Sequence, residues 1–84
     1  MEILAGRVRN YYKKINVASI EVTDSLKIGD LLHFKGYFTD FDQEIYSIEI
    51  GHTQVNEATK GQIIGIKVDD YVRKKDLLYR IENK

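Results

Sequence analysis

Arg7, Arg9, Tyr11, Tyr12, Lys13 and Lys14 stand close together near the start of this 84-residue chain, with no acidic residue among positions 7–14. Cationic side chains neutralise phosphate, and an aromatic face stacks on an unpaired base. This order of residue types therefore suits single-stranded nucleic acid on a small β-domain. The same run equally suits a plain hairpin tip, with one Tyr packed inward and the lysines in water. A second basic run, Arg73-Lys74-Lys75, reads as a solvated corner unless the fold brings it beside the first. Phe34, Tyr37, Phe38 and Phe41 crowd into one short stretch. Each aromatic buries roughly 150–250 Å², so such a cluster either caps one end of the domain or forms a partner-docking patch.

Other reactive types are sparse. His33 and His52 are the two imidazoles, and cysteine is absent. A zinc site takes three or four ligands, so no metal is expected. Asp40, Asp42 and Glu44 share one side of an extended segment but lack the spacing of a calcium loop. Nothing local would drive their pKa values apart for acid–base chemistry, so they read as an acidic edge that discourages strand-to-strand aggregation. Asp69-Asp70 reads as a turn. No nucleophile motif surrounds Ser19, Ser25 or Ser47. The expectation is a chain that is not an enzyme and carries neither catalytic residues nor a cofactor.

The elements that must hold these side chains follow from composition. Thirteen Lys plus Arg balance thirteen Asp plus Glu, and 43% of residues are hydrophobic. Zero net charge weakens non-specific polyanion binding, so any RNA contact must come from one local patch. The length suits a single domain, residues 1–84. There is no apolar run long enough for a membrane span. The first residues also lack the basic-then-apolar order of a signal peptide. With no cysteine, a cytoplasmic setting is expected. Ile, Val and Thr make up a quarter of the chain, which favours strands. Period-two alternation in Leu4–Arg9, Ala18–Val22, Tyr46–Ile50 and Ile64–Val68 agrees. Six strands are expected, near 2–11, 16–23, 30–36, 42–51, 62–68 and 76–82. A β-bulge is expected near 45–47, where Ile45 breaks parity, and Asn56–Lys60 looks like a single helical turn.

An internal echo links Leu26-Lys27-Ile28-Gly29-Asp30-Leu31-Leu32 to Val72-Arg73-Lys74-Lys75-Asp76-Leu77-Leu78, forty-six positions later. Each copy is a basic turn, an Asp able to bind turn amides, and the start of an apolar strand. Two such corners suit a pseudo-symmetric small barrel.

In order and spacing, several features resemble the second domain of elongation factor Tu and related translational GTPases. They are Gly6-Arg7-Val8, Leu26–Asp30, Ser47-Ile48-Glu49-Ile50, the pair Gly61 and Gly65, and the corner Val72–Asp76. The chain looks closer still to stand-alone elongation-factor-like proteins. It is also similar to the C-terminal barrel of the collagenase-like peptidase family, which Val17–Val22 and Thr39-Asp40-Phe41 resemble. The resemblance implies an all-β, six-stranded antiparallel closed barrel. It further implies a non-catalytic module that binds tRNA or rRNA, or assists an RNA-modifying or translation protein. There is no phosphate-binding G-x-x-x-x-G-K-[ST] loop, so the chain alone should not bind GTP. Ile63 falls where the translation factors place an aminoacyl-binding Asn, and Lys75 where relatives often have Gly.

Overall fold

In the computed structural model, which describes residues 1–82, every regular element is a strand. The ten strands are β1 (Glu2–Tyr12), β2 (Val17–Val22), β3 (Leu26–Lys27), β4 (Leu31–Lys35), β5 (Asp40–Glu44), β6 (Ile48–Ile50), β7 (Thr53–Val55), β8 (Glu57–Ala58), β9 (Ile63–Lys67) and β10 (Leu77–Ile81). Eight of them form one antiparallel sheet in the order β5-β4-β10-β1-β2-β9-β6-β7, while β3 and β8 form a separate ribbon. Among the described residues no helix is long and apolar enough to cross a membrane.

The all-β, antiparallel expectation holds, but ten strands stand where six were expected, and three further details change. First, the sheet is not a closed barrel: its strand order is a line ending at β5 and β7. Where β5 meets the end of β9, a side chain takes the place of a backbone ladder. The buried Gln43 amide donates to the Lys67 carbonyl (2.9 Å), and its oxygen accepts from the Asp69 N–H (2.7 Å). One Gln supplies the donor and acceptor that a paired residue would have offered. Second, the expected strand at 42–51 is two strands, β5 and β6, split around the buried Ile45. Residues 45–47 are therefore a break rather than a bulge within one strand. Third, the expected helical turn at Asn56–Lys60 contains β8, which pairs with β3 through Ala58 opposite Leu26. Both residues are buried, so tertiary packing outweighs the local helical preference.

The core follows the period-two pattern. Inward positions of β2 (Ala18, Ile20, Val22), β4 (Leu32, Phe34) and β9 (Ile64, Ile66) join Val8, Ile45, Ile48 and Leu78 in one apolar cluster. Strands β4 and β10 lie side by side, with His33 opposite Tyr79. These two residues are forty-six positions apart, the same offset as the internal echo, which ends one residue before each of them.

Candidate functional site

The basic residues are placed by a backbone clasp. At the corner Arg73–Asp76, the Asp76 carboxylate accepts from the Arg73 N–H (2.8 Å) while the Asp76 N–H donates to the Arg73 carbonyl (3.1 Å). This closed turn reaches β1 through two further bonds. Val8 N–H donates to the Asp76 carbonyl (2.8 Å), and Lys75 N–H donates to the Val8 carbonyl (2.9 Å). Val8 points into the core, so its neighbours Arg7 and Arg9 point out, beside Lys74 and Lys75. Together they wall a shallow groove of about 330 Å³ whose one acidic lining residue is Glu21. Arg7 pairs with Glu21 at 3.3 Å on the exposed surface. Among the described residues, none of Arg9, Lys74 and Lys75 has an acidic side chain within salt-bridge distance. Lys75 holds a left-handed backbone, φ 77°.

The aromatics extend this face. Tyr37 and Phe38 occupy the turn between β4 and β5, 92% and 70% exposed, packed edge to face at 4.6 Å. The Arg73 guanidinium lies over the Phe38 ring, 4.7 Å from its centroid. Two residues earlier, Tyr71 packs on Tyr11 at 5.8 Å, and the Lys13 ammonium sits 5.4 Å from the Tyr71 centroid. The segment carrying Tyr71 and Arg73 thus connects the first hairpin to the aromatic turn. Burial, with Tyr71 and Asp70 nearby, pushes the Tyr11 phenol above its ordinary pKa, so it stays protonated.

The structure brings some of the expected residues together and separates others. Arg7 and Arg9 do meet Lys74 and Lys75. Tyr11, however, packs against the core with Tyr71 beside it, whereas Tyr12 is half exposed. Lys14 lies exposed in the hairpin turn. The aromatic quartet divides: Phe34 is fully buried and stacks on Phe41 at 5.1 Å, leaving Tyr37 and Phe38 outside. Glu21 and Tyr71 belong to the face and were missed. A Tyr set in a turn just before a basic run was the available signal for Tyr71. Glu21 gave none, because its place opposite Arg7 depends on the register of β1 and β2.

Elsewhere, His33 is held by two carboxylates. Its Nδ1 lies 2.9 Å from Glu2 and its Nε2 lies 2.6 Å from Asp40, so the imidazolium form is the one that can donate to both carboxylates. Glu2 chiefly, then Asp40, raise its pKa, against the opposing effect of burial. The carboxylates sit on opposite ring nitrogens and cannot converge on one ion. His52 occupies the two-residue turn between β6 and β7, where Gly51 and His52 both have positive φ. Among the described residues no serine or threonine hydroxyl bonds to a histidine, and no His, Asp and Glu cluster is arranged to hold a metal. A second cavity of about 510 Å³ between β10 and the β3–β8 ribbon holds Arg80, whose guanidinium donates to Asp24, Glu82 and the Ser25 carbonyl.

The fold has a close match among solved structures. The C-terminal domain of a candidate U32 peptidase from Geobacillus thermoleovorans superposes with a TM-score of 0.89 at 22% identity, covering 94% of this chain and 92% of that one. The chain has that domain's fold. In sequence it is 40% identical over 82 residues to an uncharacterized protease of Methanocaldococcus jannaschii. It is 34% identical over 85 residues to a collagenase of Porphyromonas gingivalis. These matches cover 96% and 99% of this chain but 20% of each relative, so the chain spans about a fifth of their length. No family model matches it.

These relatives correct two expectations. A translation-factor-like RNA-binding module is overturned, because the similar proteins are named as a protease and a collagenase and the matching structure comes from a peptidase. The expectation that the chain is not an enzyme is contradicted by the same names, the activity in them being that of much longer proteins. The translation-factor resemblances rested on strand-and-corner order, whereas Val17–Val22 and Thr39-Asp40-Phe41 carried the resemblance to the peptidase barrel. Of them, the one to the collagenase-like peptidase barrel agrees with the comparisons.

Proposed function

We propose that this chain is the polypeptide-engaging β-domain of a protease-type protein, holding a substrate or partner chain for peptide-bond chemistry that belongs to the longer protein. One observation carries the reading: Tyr37 and Phe38 stand out of a turn whose other aromatics, Phe34 and Phe41, anchor it to the core. Two exposed rings at a tip cost solubility unless something covers them. Arg73 holds Phe38 in place, so less side-chain freedom is lost on binding. The relatives' names make polypeptide the fitting occupant.

Fluorescence anisotropy with labelled, unfolded casein and gelatin fragments tests this. The 84-residue chain should bind both, and the double variant Tyr37→Ser/Phe38→Ser should lose about tenfold in affinity, or about 1.4 kcal/mol. Its melting temperature should stay unchanged, because neither ring is in the core. No binding to either probe, or equal binding by the folded variant, would remove the proposal.

A further inference from the structure

Lys75 has a left-handed backbone, φ 77°, at a corner whose internal counterpart uses Gly29 at φ 96°. Glycine adopts this conformation freely, whereas a side chain there carries strain, and retained strain points to a role for the side chain. Lys75 makes no salt bridge among the described residues, and its backbone N–H is fixed on Val8. Lys75 lines a groove with Arg7, Arg9 and Lys74. The clasp fixes where these four side chains start, so like charges are gathered on a rigid base. Glu21 offsets Arg7 alone, so the charges of Arg9, Lys74 and Lys75 repel one another until a further anion joins them.

We infer that the groove formed by Arg7, Arg9, Lys74 and Lys75 binds an acidic segment of polypeptide; this rests on the reading above and names the chemistry of the chain that is held. A peptide fits better than a nucleic acid. Glu21 lies in the groove beside Arg7 and would repel a continuous phosphate backbone, but it can accept an N–H from an extended peptide. The groove, about 330 Å³ and lined by Arg7, Val8, Arg9, Glu21, Lys74 and Lys75, spans only a few residues' length of extended chain. Separate carboxylates on Arg9, Lys74 and Lys75 suit that short reach, with Phe38 beside the groove available to an apolar neighbour.

The test uses the full chain and a labelled twelve-residue peptide holding four Asp around one Phe, a version with every Asp changed to Asn, and a labelled RNA oligonucleotide. The acidic peptide should bind about tenfold tighter than its amide version and weaken between about 50 and 200 mM salt. Arg9→Gln/Lys74→Gln should lose about tenfold. Lys75→Gly should lose several-fold in affinity while its melting temperature rises by roughly 2–6 °C. A merely structural lysine would show the rise without the loss. Equal binding of the two peptides, unchanged affinity in Lys75→Gly, or tighter binding of the RNA would overturn the inference. If casein still binds through Tyr37 and Phe38 while the charge variants do nothing, the groove's role fails and the polypeptide-engaging reading stands. If no polypeptide binds, both fail.

Discussion

The corners Lys27–Asp30 and Arg73–Asp76 are the same device used twice. In each, the Asp carboxylate accepts from the first N–H of the turn, at 2.9 Å in one and 2.8 Å in the other. In each, the Asp and the residue before it clasp a passing stretch of chain. Gly29 and Asp30 exchange two bonds with Ile45, and Lys75 and Asp76 exchange two with Val8. Ile45 and Val8 are both buried. What differs is the surroundings. The clasped Ile45 sits between Glu44 and Tyr46, whereas Val8 sits between Arg7 and Arg9. Asp76 is buried and also takes the Thr39 hydroxyl, while Asp30 is only half-buried. One backbone solution thus carries structure in the first corner, and in the second carries structure together with a cationic groove. Turn geometry needs only its Asp and a residue able to take positive φ. The remaining side chains are therefore free to set the charge.

The largest expected effect separates the two aspartates. Asp76→Ala strips partners from the Arg73 N–H and the Thr39 hydroxyl in a buried place and should cost about 3 kcal/mol in urea unfolding. Asp30→Ala removes one half-solvated turn bond and should cost about 1 kcal/mol. Equal costs would mean that burial is not what distinguishes the corners. Gly36→Ala bears on the same point, because a Cβ there would collide with the Asp76 carboxylate. It should cost about 2–3 kcal/mol.

Next in size is an exchange of the residues before each Asp. A Cβ at Gly29 meets nothing within 4 Å, so Gly29→Lys feels only the cost of positive φ, about 1 kcal/mol. The melting temperature should fall for Gly29→Lys and rise for Lys75→Gly, and the same sign in both would break the equivalence.

The smallest effect is a pH dependence confined to one side. The His33 pKa is raised above its ordinary 6.5, chiefly by Glu2 and then by Asp40. Its stabilisation is complete below about pH 6.5 and is lost as pH rises through the raised value. Glu2 and Asp40 are well exposed, which holds the effect below about 1 kcal/mol. Asp40 adjoins Thr39, so amide exchange around Thr39 and the second corner should quicken on going from pH 6 to pH 9. Exchange at Lys27–Asp30 should show no such added step, and His33→Gln should abolish the difference.

Much of the fold was legible because its signals are short-ranged. Alternation in Ala18–Val22 and Ile64–Val68 marked β2 and β9, and the echo located both corners, including the Asp that closes each one. The break at Ile45 and the pairing of Glu57–Ala58 were not legible. Each depends on a partner distant in sequence, Asp30 in one case and Leu26 in the other. In the candidate site, the basic residues and the exposed pair Tyr37 and Phe38 were visible as types. Which aromatics would face water was not, since Phe34 and Phe41 share that stretch and only strand pairing puts them on β4 and β5 while Tyr37 and Phe38 are left in the turn.

Residue order alone determined that the chain is all-β, that two equivalent corners turn it, and that its cations are unevenly spread, because strand alternation and turn chemistry act within a few residues. Tertiary structure decided that the sheet stays open and is sealed by Gln43, that Arg7 and Arg9 meet Lys74 and Lys75, and that Lys75 bears the strain of the groove. Those outcomes depend on which distant strands come side by side. That choice is made by burial of the whole core, and no local stretch contains it.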